Sequence, residues 1–374
     1  MNSARLLALL MRECLEVWRD PFRLAAAVLV PAVLMLVFGF GLTLDVENLP
    51  YATFDRDNTP ASRAYLDPFA HSRYFVLKGS VRSDRDLEER FAAGDVALAI
   101  EVSPGFGRDL SAGRTPQVAF WIDGTMPFRA DTIRGYVEAM NVGLFARYAR
   151  ESLGLGKPAS PAGLETRFWY NQDLKSKFAF VPGVMAAVLA LSTTMLTAVA
   201  VVREKELGSI TNFHATPLRR VEFLLGKQLP YVAISMVNFA IMTLMTVALF
   251  DVPLKGSLFA LAAGALIYVF AGTALGLLVS AFTRTQLAAV IISVIVTTVP
   301  SFLYSGLLTP VSSLSGNAIV IARVFPATYF LNIAVGCFTK GLATRDLLPD
   351  YAALGAAFLV LIGASAALLR KQER

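Results

Sequence analysis

Charged residues are absent from six stretches of this chain: 24–43, 179–202, 228–250, 257–283, 285–322 with polar interruptions, and 351–369. A helix needs about 20 consecutive apolar residues to cross the hydrocarbon core of a bilayer, so each stretch is long enough to span. The polar remainder gathers in one large insert between the first and second stretch. The pattern predicts an α-helical integral membrane protein with six transmembrane helices. A sizeable domain outside the bilayer is inserted between spans one and two.

Inside the insert the pattern changes period. Residues 50–54, 74–81, 96–102 and 117–122 are short and rich in Val, Ile, Ala and aromatics, as strands are. Segments 59–72, 83–93 and 104–112 between them read as helices, and Ser83 with Asp86 forms a capping-box signature. A longer helix is predicted over 127–153, with Ile133, Val137, Met140, Leu144 and Tyr148 on one stripe. Alternating strands and helices predict an extracytoplasmic α/β domain over 45–178, one sheet covered by helices.

Ahead of the first span, residues 3–18 form an amphipathic helix. Leu6, Leu10, Cys14, Val17 and Trp18 share one face, and Arg5, Arg12, Glu16 and Arg19 another. Asp20-Pro21 breaks it, because the residue before proline disfavours the helical region. The expected organisation is an interfacial helix over 1–23, a first span over 24–44 and the insert over 45–178. Spans two to six follow over 179–374, with a cytoplasmic connection at 203–227. The fifth stretch is too long for one crossing, and Pro300, Thr309-Pro310 and 312–317 interrupt it; the piece over 318–338 contains Arg323, Pro326 and Asn332. Outer re-entrant helices over 309–341 fit it, forming a candidate outer gate.

Composition agrees: 55% of residues are hydrophobic and 17% charged, against about 25% charged in soluble domains. A net charge of +6 invites a nucleic-acid reading, but the cations flank the spans and point to no nucleic-acid partner. Arg5, Arg12, Arg19 and Arg23 precede the first span. Arg203, Lys205, Arg219, Arg220 and Lys227 fill the second-to-third connection, Arg284 sits between the fourth and fifth spans, and Arg370, Lys371 and Arg374 follow the last. The excess of cations in cytoplasmic loops puts both termini in the cytoplasm and the insert outside. The first span reads as an uncleaved signal anchor, since 39–43 lacks a small-x-small cleavage site. Cys14 and Cys337 fall on opposite sides in this topology and read as small apolar fillers.

No covalent chemistry stands out. His71 and His214 have no metal-ligand spacing, and no Gly-x-x-x-x-Gly-Lys-Ser/Thr loop is present, so no cofactor and no ATP hydrolysis are expected in this chain. Gly226-Lys227 and Gly156-Lys157 are lone dipeptides without weight. None of the six stretches holds a carboxylate or histidine, the groups that ion-driven carriers place in the bilayer as relays. Uphill transport would then draw its work from a partner on the cytoplasmic side, docked on 203–220. Hydroxyls at Ser192, Thr193, Thr194 and Thr197 in the second span, and Ser293, Thr297, Thr298 and Ser301 in the fifth, lie amid Met, Phe and Leu. They mark a path for apolar or amphipathic compounds, although such hydroxyls also bond to their own helix backbone. Gly272 and Gly276 are spaced for close helix packing.

Several motifs carry a resemblance. Arg203-Glu204-Lys205-Glu206-Leu207-Gly208-Ser209-Ile210, then Thr216-Pro217-Leu218 and Glu222-Phe223-Leu224-Leu225-Gly226-Lys227, resemble the signature of type-2 ABC exporter permeases. Trp169-Tyr170-Asn171 with Phe180-Val181-Pro182-Gly183 is similar to that family's approach to the second span. Thr283-Arg284-Thr285-Gln286 is similar to its turn into the fifth. Ser305-Gly306-Leu307 with Pro310, then Phe325-Pro326-Ala327-Thr328-Tyr329-Phe330, resemble its outer re-entrant region. Thr211 and His214 depart from it, standing where relatives often carry Glu and Leu. The resemblance covers the chain in order and is strongest to the drug-export branch with a large outer domain.

The resemblance implies a half-transporter of the bacterial inner membrane. Two six-span subunits, identical or mixed, would pair in the lipid. Each would be bound by a cytoplasmic ABC ATPase subunit that carries the ATP and Mg. Arg203, Glu204, Lys205, Glu206, Gly208, Ile210, Phe213 and Pro217 would couple to that subunit, together with the N-terminal helix. Ser192, Thr193, Thr197, Thr297, Thr298 and Ser301 would line the substrate path, and Ser305, Gly306, Pro310, Pro326 and Tyr329 the outer gate. The size and position of the outer domain suit a periplasmic adaptor protein. Two other classes compete. A membrane sensor or mechanical transmitter predicts a cytoplasmic signalling domain, but the sequence ends just past the last span. An ion-driven carrier lacks its carboxylates.

Overall fold

The computed structural model describes residues 3–41, 48–72, 74–114, 116–125, 130–138, 140–141, 175–208 and 220–371. The chain divides into two units, Met1–Thr43 with Phe168–Arg374, and Leu44–Arg167.

The first unit opens with α1 (Ser3–Trp18) and α2 (Pro21–Gly41). Asp20 separates them: its Oδ1 accepts from the Arg23 N–H at 3.1 Å, satisfying a donor at the start of α2 that has no partner within the helix. Pro21 then sits where its missing N–H costs nothing. The amphipathicity of α1 is rotated from the expected one. Glu13 and Val17 are buried, while Leu7, Met11, Leu15 and Trp18 are exposed. Cys14 is also exposed, contrary to its reading as a filler.

The second unit runs β1 (Leu49–Asp55), α3 (Pro60–Ala70), β2 (Phe75–Ser80), α4 (Asp84–Ala92), β3 (Leu98–Val102), α5 (Phe106–Ser111) and β4 (Val118–Ile122). The sheet order is β2-β1-β3-β4. The first three strands are parallel and β4 is antiparallel to β3. Side-chain alternation sorts the two faces. Leu49, Tyr51, Leu98, Ile100 and Val102 pack with Tyr65, Phe69, Phe106, Ile133 and Val137, and Met140 lies against them. Ala52, Phe54 and Ala99 face Val81, Leu87 and Val96. Leu144 and Tyr148 lie outside the described residues. The reciprocal capping box belongs to Thr59 and Ser62 at α3. At α4, Ser83 accepts from the Asp86 N–H, whereas the Asp86 carboxylate accepts from Arg82, so only half of the predicted box forms.

The first unit resumes with α6 (Lys177–Glu206), α7 (Arg220–Ala248), α8 (Leu258–Phe282) and α9 (Gln286–Leu303). A 3-10 turn at Val311–Ser313 leads to α10 (Asn317–Val324) and α11 (Pro326–Val335), a π-type turn over Gly336–Lys340 and α12 (Leu348–Lys371). Among the described residues, six helices are long and apolar enough to cross a membrane: α2, α6, the Leu224–Ala248 part of α7, α8, α9 and the Leu348–Leu368 part of α12. The segment from α10 through the π-type turn is bent by 71° and makes a seventh span if it crosses at all.

Helix α6 is the axis of this unit, packing against α2, α7, α8, α9 and α11. Its contact with α8 depends on missing side chains. A Cβ on Gly272 would overlap Thr193 Oγ1, and one on Gly276 would stand 2.5 Å from the Thr194 carbonyl oxygen. The two glycines thus permit the close packing expected of them. Toward the Lys177 end, a Cβ on Gly183 would overlap Leu307. There Tyr268 stacks on Phe330 with centroids 4.4 Å apart and donates to the Ala186 carbonyl at 3.0 Å.

Candidate functional site

Both helices that flank the second-to-third connection run past the charge-free stretches. α6 continues through Arg203–Glu206, and α7 holds Lys227 within its length. Successive residues on a helix point about 100° apart, so four consecutive charges at the end of α6 face four directions. Each meets a different element.

Arg203 Nη1 pairs with Asp20 Oδ2 at 3.2 Å, at the break between α1 and α2. Glu204 turns inward to the ammonium of Lys227 on α7, which also pairs with Glu13 of α1. All three side chains are at most 4% exposed. Lys205 Nζ donates to the Ser280 carbonyl at 2.6 Å, near the C-terminal end of α8, where a cation meets the negative end of the helix dipole. Glu206 Oε1 accepts from the Gln286 N–H at 2.8 Å at the opening of α9, and its other oxygen takes the Gln286 side-chain amide. A carboxylate there satisfies a backbone donor and meets the positive dipole end. One helical turn therefore ties together α1, α2, α7, α8 and α9.

Charges at this end are unequally placed in energy. The Arg23 N–H and the Arg203 guanidinium hold the Asp20 carboxyl below the usual carboxylate range. Burial pushes the Glu13 carboxyl up, against the pull of Lys227. Arg23 donates to the buried Tyr231 hydroxyl at 3.1 Å, fixing α2 to α7. The carboxylates of Glu13, Glu16 and Glu204 lie within 4.8 Å of one another. Lys227 supplies the positive charge among them, so the grouping is an ion-pair node.

Among the residues expected to couple, Arg203, Glu204, Lys205 and Glu206 are engaged with the chain's own helices. Gly208 is exposed with φ +70, and its N–H donates to the Lys205 carbonyl at 3.2 Å as α6 ends. This left-handed position favours glycine. Ile210, Phe213 and Pro217, with Thr211 and His214, lie outside the described residues.

The expected path residues are brought together on α6 and α9, which pack on each other. Ser192, Thr193, Thr197, Thr297 and Ser301 are buried and Thr298 is half-buried. Ser192 and Thr193 donate to the Leu189 carbonyl, Thr197 to Thr193 and Thr297 to Ser293. Thr194 alone of that group reaches across, to the Gly272 carbonyl at 3.1 Å. Among the described residues, Ser293 Oγ and Ser301 Oγ are buried without a hydrogen-bond partner. The expected gate residues lie along the stretch from the end of α9 into α11, which contains the 71° bend. Ser305 donates to the Ser301 carbonyl, Gly306 has φ +99, and Pro310 precedes the 3-10 turn. Pro326 opens α11, and the Tyr329 hydroxyl donates back to the Arg323 carbonyl at 2.5 Å.

Sequence reasoning missed Glu13, Asp20, Lys227 and Gln286. One signal was present: Glu13 falls between Leu10 and Val17 at helical spacing. A carboxylate on an otherwise apolar stripe implies a buried cationic partner.

The family described as "ABC-2 family transporter protein" matches residues 23–367. Among curated proteins, the chain is 26% identical to "Probable multidrug ABC transporter permease YbhS" of Escherichia coli (strain K12), over 97% of this chain and 96% of that protein. It is 26% identical to "Probable multidrug ABC transporter permease YbhR" of the same strain, over 68% of each. It is 27% identical to "Inner membrane transport permease YhhJ", also from that strain, over 83% of each.

Proposed function

The chain belongs to the ABC-2 family of transporter proteins, and from that premise we propose that it is the membrane permease subunit of an ATP-driven exporter of hydrophobic or amphipathic compounds. Two permease subunits pair in the inner membrane, with both termini cytoplasmic and the sheet domain outside. A separate cytoplasmic ABC ATPase binds ATP and Mg and supplies the work. Its docking place is the connection that leaves α6 at Gly208 and returns at α7, and a periplasmic adaptor engages the outer domain.

The observation that carries this reading is the last turn of α6. A push on the connection beyond Gly208 acts on a turn joined by ion pairs and charge-assisted hydrogen bonds to the α1–α2 break, α7, α8 and α9. Displacement there is passed to the bundle as a whole. Such coupling works only if the partner binds two arrangements of the bundle with different affinity. The hydroxyl-bearing, otherwise apolar seam between α6 and α9 supports an uncharged or amphipathic substrate. The names of the relatives support drugs as one such class.

The test is isolation of the full chain from membranes in nanodiscs, followed by identification of what comes with it. An ABC ATPase should co-purify, and Gly208→Val should leave that association intact while lowering substrate-stimulated ATP hydrolysis. Accumulation of substrate in vesicles containing only this chain, driven by a pH or sodium gradient, would overturn the proposal.

A further inference from the structure

A groove of about 900 Å³ lies at the elbow between α1 and α2, lined by Met11, Arg12, Leu15, Arg19, Phe22 and Arg203, among others. We propose that this elbow is a binding site for an anionic phospholipid of the surrounding leaflet, with its phosphate among Arg12, Arg19 and Arg203 and its acyl chains along Leu15, Trp18 and Phe22.

Two observations converge on this occupant. The first is an exposed apolar stripe, Leu7, Met11, Leu15, Trp18 and Phe22, that runs along α1 and onto the start of α2. Trp18 is 77% exposed and Phe22 88%. Because α2 is long and apolar enough to span, its first turn lies near the headgroup level, where a tryptophan and a phenylalanine on an amphipathic helix meet acyl chains. The second is charge. Arg12 and Arg19 are exposed beside the stripe. Asp20 is occupied by the Arg23 N–H and by one nitrogen of Arg203, which leaves the rest of the Arg203 fork toward the groove. The other acid of the lining, Glu16, has a carboxylate oxygen within 4.8 Å of those of Glu13 and Glu204 and so turns toward the Lys227 node. The open side of the groove therefore presents the guanidinium groups of Arg19 and Arg203 over apolar side chains, beside Arg12, which also has a contact of its own within the chain. Guanidinium forks match phosphate oxygens, and each cation near an anionic surface strengthens attachment about fivefold.

The site is independent of what is transported. The test uses the full chain with whatever subunit co-purifies, in nanodiscs of phosphatidylcholine containing a minor share of phosphatidylglycerol. Lipid retained after isolation is measured by native mass spectrometry. Phosphatidylglycerol should be enriched over its bulk share. Arg12→Gln with Arg19→Gln should lower that enrichment about 25-fold, Arg12→Lys with Arg19→Lys should keep most of it, and Arg345→Gln should leave it unchanged. Retention of bulk composition by the unaltered chain would overturn the proposal, whether or not the glutamine pair folds. So would hydrogen exchange over residues 11–22 that slows only when an ATPase subunit is bound and ignores lipid charge, since that face would then be a protein surface.

Discussion

The two ends of α6 are held in place by different physics. Near Lys177, residues 180–190 are buried without a break, and fit is by shape: Gly183 beneath Leu307, Tyr268 stacked on Phe330. Near Glu206, the same helix is held by charge, through Asp20, Lys227, the Ser280 carbonyl and Gln286. Shape-fitted contacts fail when volume is added. Ion-pair contacts fail when one partner is removed, because the other stays buried and uncompensated.

Breaking the charged end should have the largest effect. Lys227→Met leaves Glu13 and Glu204 buried without a cation, and removal of one partner of such a pair costs about 3–5 kcal/mol. The drop should appear in the unfolding temperature of the detergent-solubilised chain. Adding Glu13→Gln and Glu204→Gln to Lys227→Met should recover most of it, since no buried charge then remains. No recovery would mean the node is held by packing rather than by charge.

The middle of α6 offers the converse. Gly272→Ala forces a Cβ into Thr193 Oγ1, and overpacking of this kind costs about 1–3 kcal/mol. Thr193→Ala in the same chain should relieve the clash, which thermal unfolding of the single and double variants would reveal. A smaller change is expected from Thr297→Val, which removes a hydroxyl bonded to its own helix and should shift stability by less than about 1 kcal/mol. If Thr297 instead lines the path, the same variant should alter transport of a fluorescent amphiphile in vesicles while stability hardly moves.

Acidity provides the mildest probe. The Asp20 carboxyl is held below its ordinary value in the folded chain. Its contribution to stability is therefore present above the unfolded-state pKa and is lost as pH falls through the folded one. Asp20→Asn should lower stability slightly at neutral pH and leave it unchanged below the folded-state pKa, so that the acid side of the pH–stability curve flattens. An unaltered acid limb would show that the Arg203 contact is incidental.

Much of the architecture was legible in the residues. Strands predicted at 50–54, 74–81, 96–102 and 117–122 occur at Leu49–Asp55, Phe75–Ser80, Leu98–Val102 and Val118–Ile122, because alternation and β-branched or aromatic side chains suit a pleated surface wherever it is placed. The apolar stretches appear as helices for an equally local reason: run length and the absence of charge. The N-terminal helix was found but its rotation was misjudged. Counting apolar residues around α1 puts Leu6, Leu10, Cys14, Val17 and Trp18 on one face and leaves Glu13 out of account, whereas Glu13 points inward to meet Lys227. Side-chain character along one helix carries no information about a partner two hundred residues away.

The order of strands, the place of α6 at the centre and the partners of Arg203 through Glu206 belong to the folded chain. By itself the string of residues determined which segments are strands and which are helices, which of them are long and apolar enough to span, and that four charges of alternating sign stand in a row. It did not determine what each charge would face. That depends on the 100° step of the helix and on which neighbours lie around it, and those neighbours are assembled from Glu13, Asp20, Lys227, Ser280 and Gln286, groups that meet only in three dimensions.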